Sequence, residues 1–383
     1  PFGAAETAAM AGQVGADLDE RTADELAEAS GGNPLLVREL LRLPAYRRAG
    51  PFPREAAEVV AARLEPLPPA TVELLGLAAL AGEDLDVDLL AAATGLEPAQ
   101  VLHLVEPALT AAVLQGPPLR FRHGSLREAV LAGVGPAAAR EGHLRLAEAV
   151  LARPERWPAA AAVPHLAGAR TQAGIATLLA AVRRAADDAA AAGAFADRAR
   201  LLEVALRDPG CPDADRLALA VDAASACVRA GADVDAKRHV AAALDLAEAR
   251  GEPAAAAEAV RALVRGGGAW YWVPFGQHPV ELLDRLERAA ARAADDATRS
   301  LVLAALSVGE SYGPDPARPR LLADEALALA RRADDPEVQV EALVARSWAG
   351  FGTAAPAELL ELVAELDRLA PAMPPERRAL TEA

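Results

Sequence analysis

Alanine and leucine do almost all of the burying available to this chain. Apolar residues make up 53% of its 383 residues, yet aromatic residues account for only 3%. A core built from small and branched-aliphatic side chains favours closely packed helices over sheets, because alanine and leucine are strong helix formers and strands prefer β-branched and aromatic residues. The length allows two or three domains, each with its own core.

Charge and cysteine content narrow the function classes. The formal net charge is -16, so the chain as a whole is repelled by phosphate backbones. Its basic residues are nearly all arginine, a compositional sign of a GC-rich bacterial genome, and its one lysine is Lys237. A P-loop needs Gly-Lys-Ser/Thr, and Lys237 follows Ala236 in an alanine-rich helical stretch, so this chain has no P-loop. Cys211, in a DPGCPD turn, and Cys227, on a helix, are too few for a disulfide framework, and a cytoplasmic protein with reduced thiols is expected. The apolar runs are broken by residues such as Pro158 and Pro164 and fall short of the roughly 20 residues of a membrane span.

Three regions follow from the punctuation. Residues 1–50 hold two helices. Thr22-Ala-Asp-Glu25 reads as a capping box, and Asn33 caps a second helix with Pro34 at its first position. In that helix Leu36, Leu40 and Leu43 share one face. In residues 51–153 short helices are expected over Arg54–Leu64, Ala70–Ala81, Val87–Ala93 and Pro98–Leu109. Two strand-like pieces follow around Gly116-Pro-Pro118, then a second capping box at Ser125-Leu-Arg-Glu128 and a helix over Pro136–Leu151. Helices followed by a small hairpin suggest a winged helix. Residues 154–383 read as helix after helix with a loose repeat: Gly193-Ala194 recurs as Gly231-Ala232, 38 residues on, and a weaker copy starts at Gly313. That period indicates stacked helical hairpins of tetratricopeptide-like (TPR-like) character. The expected fold is mainly all-α: a winged helix with a small β-hairpin, then a TPR-like α-solenoid.

GGNPLLVREL at Gly31, ARLEPLPP, LLGLAALAG, RFRHGSLREAV at Arg120 and AREGHLRLAEA occur in an order that resembles the large LuxR-type transcriptional regulators. These belong to the signal-transduction ATPases with numerous domains (STAND). The resemblance covers roughly residues 1–205 closely and the remainder in repeat character alone. It implies that residues 1–50 are the end of a helical lid, 51–153 a winged helix and 154–383 a helical-repeat sensor. The P-loop core and the DNA-binding helix-turn-helix would lie outside this chain, and both ends are expected to be truncated.

The resemblance also implies site residues. Asn33-Pro34 matches a G-x-P element whose proline packs on adenine; read alone, Pro34 is a helix-starting proline. His123 matches the histidine of a Met-His-Asp element that reaches the β-phosphate of ADP, although Arg122, Gly124 and Ser125 depart from the usual neighbours. Otherwise it is a histidine at a strand–helix junction. The implied cofactor is ATP or ADP in the complete protein, with no tight binding by this chain alone. The implied partners are the ATPase core of the same polypeptide and an inducer ligand or protein on the repeats. DNA would be met only through the missing domain, and no membrane.

The remaining motifs are mundane. His103, His143, His165, His239 and His278 lack metal spacing. Asp187-Asp188, Asp295-Asp296 and Asp334-Asp335 are expected at helix ends or on solvated faces. Trp270-Tyr-Trp272 reads as core packing in an alanine-rich solenoid, the other reading being the lining of a ligand groove in the repeats. The recognition segment Pro98–Leu109 carries no arginine or lysine, which marks the winged helix as a clamp and not a DNA reader. Two other readings compete: a TPR-like interaction scaffold without a nucleotide role, and the same module joined to a cyclase or kinase.

Overall fold

The computed structural model describes residues 2–13, 18–30, 64–169, 174–264, 276–350 and 355–372, with Pro34, Val37, Arg38, Leu41 and Val273 besides. Gly31-Gly32, Asn33, the Leu36–Leu40–Leu43 face, the helix expected over Arg54–Leu64 save its last residue, Gly266–Gly268 and Trp270–Trp272 lie outside the described residues. The described chain is mainly helical, with one two-stranded antiparallel hairpin. It divides into two compact units, Pro1–Gly174 and Ile175–Ala383.

The first unit begins with α1 (Ala4–Gln13) and α2 (Glu20–Ala29), which pack together through Ala11, Ala23 and Leu26. The capping box expected at Thr22 is not formed. Asp19 caps α2, its carboxylate accepting from the Thr22 N–H at 2.8 Å. Aspartate takes the position because its negative charge also favours the positive end of the helix.

Then comes the winged helix: α3 (Pro69–Ala81), α4 (Val87–Thr94), α5 (Pro98–Thr110), β1 (Leu114–Gln115), β2 (Arg120–Phe121), α6 (Gly124–Gly133) and α7 (Pro136–Leu151). Proline opens α3, α5 and α7, where its missing N–H costs nothing. Gly95, at a φ of 72°, closes α4 in the left-handed conformation. The hairpin pairs Leu114 with Phe121 and Gln115 with Arg120. A third extended piece, not foreseen, joins it: Asp84 bridges Arg120, and the Leu85 N–H donates to the Leu119 carbonyl at 2.8 Å.

Helix α8 (Ala159–Ala169) packs on α7 and lies in this first unit, although the sequence groups residues 154–169 with the repeats. The interleaving of α7 and α8 is the cause. Gly168 sits so close to His143 that a Cβ there would lie 2.5 Å from the imidazole.

The second unit is a run of helical hairpins: α9 (Ile175–Ala191) with α10 (Phe195–Leu206), α11 (Asp213–Arg229) with α12 (Asp233–Arg250), α13 (Pro253–Val264) with α14 (Val280–Arg292), α15 (Asp296–Gly309) with α16 (Arg318–Ala333), and α17 (Pro336–Ala349) with α18 (Pro356–Leu369). Alanines at the contacts, such as Ala223, Ala243, Ala259 and Ala326, are buried and let the helices approach closely. Gly193 and Gly231 turn the first two hairpins at φ of 71° and 72°. Behind each, the next N–H reaches back to a carbonyl near the helix end, Ala194 to Ala189 and Ala232 to Cys227, both at 2.8 Å. The weaker third copy departs from this. Gly313 has a φ of -73°, and a 3₁₀ turn over Glu310–Tyr312 makes the connection. Glycine is needed there for space, since a Cβ would lie 2.3 Å from a Glu310 carboxylate oxygen.

Arginine–carboxylate pairs tie the second helices of successive hairpins together. Glu203 on α10 pairs with Arg238 on α12, Asp245 and Glu248 on α12 with Arg285 and Arg288 on α14, and Glu287 on α14 with Arg318 on α16. At the last step the polarity reverses: Arg320 and Arg331 on α16 pair with Glu358 and Glu365 on α18. Among the described residues no helix is long and apolar enough to cross a membrane.

Candidate functional site

The winged helix positions His123 by its backbone. Arg122 donates its N–H to the Val113 carbonyl at 3.0 Å, which continues the hairpin one residue past β2. His123 then takes an extended conformation (φ -147°, ψ 145°) and stands as the N-cap of α6, its carbonyl accepting from the Leu126 N–H at 3.0 Å. The capping box expected at Ser125–Glu128 does not form, because α6 already starts at Gly124 and no side chain caps it. His123 is half-buried, with Nε2 shielded from solvent. A Cβ on Gly124 would lie 3.9 Å from a Glu83 carboxylate oxygen, so Glu83 stands at the mouth of the site. Gly124 and Ser125 are exposed. The uncapped N–H groups at the start of α6 and the helix dipole favour an anion there.

Neighbouring contacts fix the frame. Arg127 on α6 donates from Nε to the Ala79 carbonyl at 2.8 Å, satisfying the C-terminal turn of α3 with a cation. Asp86 caps α4 through the Asp88 and Leu89 N–H groups and accepts from Trp157 Nε1 at 2.8 Å. Arg156 pairs with Asp88 and lies over the Trp157 ring. These bonds pin the loop after α7 to the start of α4.

Pro34 is a helical, exposed residue, so its ring is available for contact; Asn33 lies outside the described residues. The face of α5 opposite its buried Val101, Val105 and Ala108 presents Leu102, His103, Glu106 and Leu109, with Leu102 51% exposed. No cation stands on α5 to meet a phosphate.

One histidine pair leaves no local pattern in the sequence, because its members sit on different helices. His143 Nδ1 and His165 Nδ1 lie 3.1 Å apart, so one donates and the other accepts. Burial, and then the neighbouring His143, push the His165 imidazole down to about 4, and burial also lowers His143. Both rings are neutral packing partners near neutral pH. Among the described residues no group of three or more His, Cys, Asp and Glu could hold a metal.

Among the described residues of the second unit, two clefts lie between hairpins. One, of about 240 Å³, has Leu244, Ala247, Ala256 and Ala289 as apolar walls and Glu248 and Arg292 at its edge. The other, of about 200 Å³, holds Glu203, Arg207, Arg238 and His239. Burial works to raise the Glu203 carboxyl, but Arg238, Arg207 and His239 hold it below its ordinary value. Burial, and then Arg238, lower the His239 imidazole. Burial raises both thiols, Cys227 to about 11, so neither is a nucleophile at neutral pH. The acidic pairs stand at helix ends: Asp295 and Asp335 are N-caps, and Asp334 closes α16.

No family model matches the chain, and no curated protein matches it either. Among solved structures the chain is similar to a Signal Transduction ATPase with Numerous Domains (STAND) protein with a tetratricopeptide repeat sensor from Pyrococcus horikoshii, with 13% identity and a TM-score of 0.35. The match takes in 97% of this chain and 59% of that one. At that score the likeness bears on neither fold nor function.

Proposed function

We propose that the chain is the regulatory part of an ATP/ADP switch, in which the winged helix clamps the nucleotide state and the helical hairpins sense a ligand or protein. The observation that carries this is the place of His123, an imidazole fixed by backbone bonds at the uncapped start of α6. A phosphate brought there by an ATPase core of the same polypeptide would meet free N–H groups, the helix dipole and an imidazole donor. Pro34 would stack on the adenine, with Asn33 beside it. The cation-free α5 favours a clamp over a DNA reader. The output, in this reading, is transcription through a separate helix-turn-helix of LuxR type in a bacterial cytoplasm. This chain would not itself be an enzyme, since a P-loop lysine is missing from its sequence.

The test is ADP release from the polypeptide that carries both this module and its ATPase core. A charge-assisted hydrogen bond is worth about 1.5–3 kcal/mol, so His123→Ala should speed ADP release by roughly tenfold to a hundredfold and raise inducer-independent output. Pro34→Ala should have a smaller effect. Release at the wild-type rate from a folded His123→Ala protein would assign the histidine to structure alone. The second reading, an interaction scaffold, is favoured by the clefts between hairpins, and a gene product lacking any P-loop would select it.

A further inference from the structure

A groove of about 300 Å³ runs between α3 and the α6–α7 corner of the winged helix. Val72, Leu77, Leu80, Val130 and Val134 make it apolar, and Val72 is 36% exposed. Its mouth lies at the α6–α7 turn, where Gly133 and Gly135 have nothing within 4 Å of a would-be Cβ. Arg145 on α7 enters this groove. Its side chain is half-buried, its Nε is shielded from solvent, and that nitrogen has no hydrogen-bond partner. Glu141 stands one turn earlier on the same helix and Glu73 on α3, both exposed on the rim, and neither forms an ion pair with Arg145. Other arginines at helix contacts are joined to carboxylates, as at Arg238, Arg285 and Arg331, or to backbone carbonyls, as at Arg127. An arginine left open inside an apolar cleft is a recognition element for a planar anion, which it can grip with two parallel hydrogen bonds.

We propose that this groove binds a small amphipathic monocarboxylate, its apolar body along Val72, Leu77 and Val130 and its carboxylate on Arg145. The dimensions suit a small ligand, since pockets with apolar walls and one or two polar anchors begin near 300 Å³. The rim carboxylates Glu73 and Glu141 select against polyanions such as phosphates, which they repel, while a single buried carboxylate is neutralised by Arg145. The site has a mechanical consequence as well. Helix α6 is capped by His123 and ends at Gly133, and its last turns, through Val130 and Gly133, line the groove. A ligand wedged against α3 and α7 therefore bears on the same rigid helix that holds His123. The binding itself does not rest on the nucleotide reading.

The experiment is calorimetric titration of the whole chain with octanoate and decanoate, with octanol as the uncharged control. Saturable binding is expected, tighter for decanoate, and weakened at least about tenfold for octanol and in Arg145→Gln, the loss matching one charge-assisted bond. Ala138→Phe, at an exposed position facing the groove, should abolish binding by filling it. Each variant is checked for an unchanged unfolding midpoint, and either one alone suffices if the other fails to fold. No saturable binding at millimolar ligand, wild-type affinity in both variants, or equal affinity for octanol overturns the proposal. Slow amide exchange in residues 54–63 that is lost in Ala138→Phe also overturns it, because the groove would then belong to the chain's own preceding segment.

Discussion

In the winged-helix unit Trp157 reaches Asp86 across 71 residues and Arg127 reaches the Ala79 carbonyl across 48. In the hairpin unit the bonds between second helices span only 31 to 40 residues, and the same kind of pair recurs at each step. One unit is closed by contacts that occur once each, so losing one opens the whole. The other is a sum of nearest-neighbour contacts, and damage to it stays near its source. A site that must hold a fixed geometry belongs in the first kind of unit, and a surface that must tolerate varied partners belongs in the second.

The sharpest way to break this contrast is Trp157→Ala. The indole is 8% exposed and bonds to the cap of α4. Its loss should destabilise the winged-helix unit by about 3–5 kcal/mol. Hydrogen exchange should quicken throughout residues 64–169 and stay unchanged in residues 175–264. Parallel loss in both stretches would show that the units do not fold separately.

Acid should act on the same unit. His165 is pushed down to about 4 in the folded state, below the ordinary histidine value of about 6.5. The unfolded chain therefore binds the extra proton first, and stability falls as pH drops from about 6.5 to 4, by up to about 3 kcal/mol. His165→Phe should flatten that part of the urea-midpoint-versus-pH curve. An unaltered slope would place the acid sensitivity elsewhere.

A smaller effect is expected in the hairpins. Gly231→Ala forces alanine to a φ of 72° with open space around it, so strain is the whole cost, about 1 kcal/mol. Exchange should quicken only around α11 and α12; spread to α17 would contradict nearest-neighbour behaviour. Smallest of all, Arg288→Ala removes an exposed pair with Glu248, and its slight cost should vanish in concentrated salt. A larger, salt-resistant loss would mean that the pairs act as one network.

Much of the winged helix was legible because proline and glycine mark its ends. Pro98 and Pro136 set the starts of α5 and α7, and Gly95 stops α4. The extended piece at Asp84 left no trace, since a single bridged residue has no alternation to read. Asp19 outcompeted Thr22 for the cap because a charged side chain gains from the dipole as well as the hydrogen bond. The His143–His165 contact and the open Nε of Arg145 arise only when separate helices pack, so no local pattern encodes them. His123 was legible as a junction residue; the shielding of its Nε2 comes from tertiary packing.

The reversed polarity at α16 constrains how such an array can grow or shrink. The fourth hairpin gives arginines to both neighbours, Arg318 to Glu287 on one side and Arg331 to Glu365 on the other. Excising it would strip Glu287 on α14 and Glu365 on α18 of their arginines and set like charges facing each other, while Glu358 would keep Arg346 of α17. Duplicating it would place arginine against arginine. The repeats are therefore not interchangeable beads: a recombination event that spared every core alanine would still lose its matched ion pairs here, and the order of the hairpins is written in their charges.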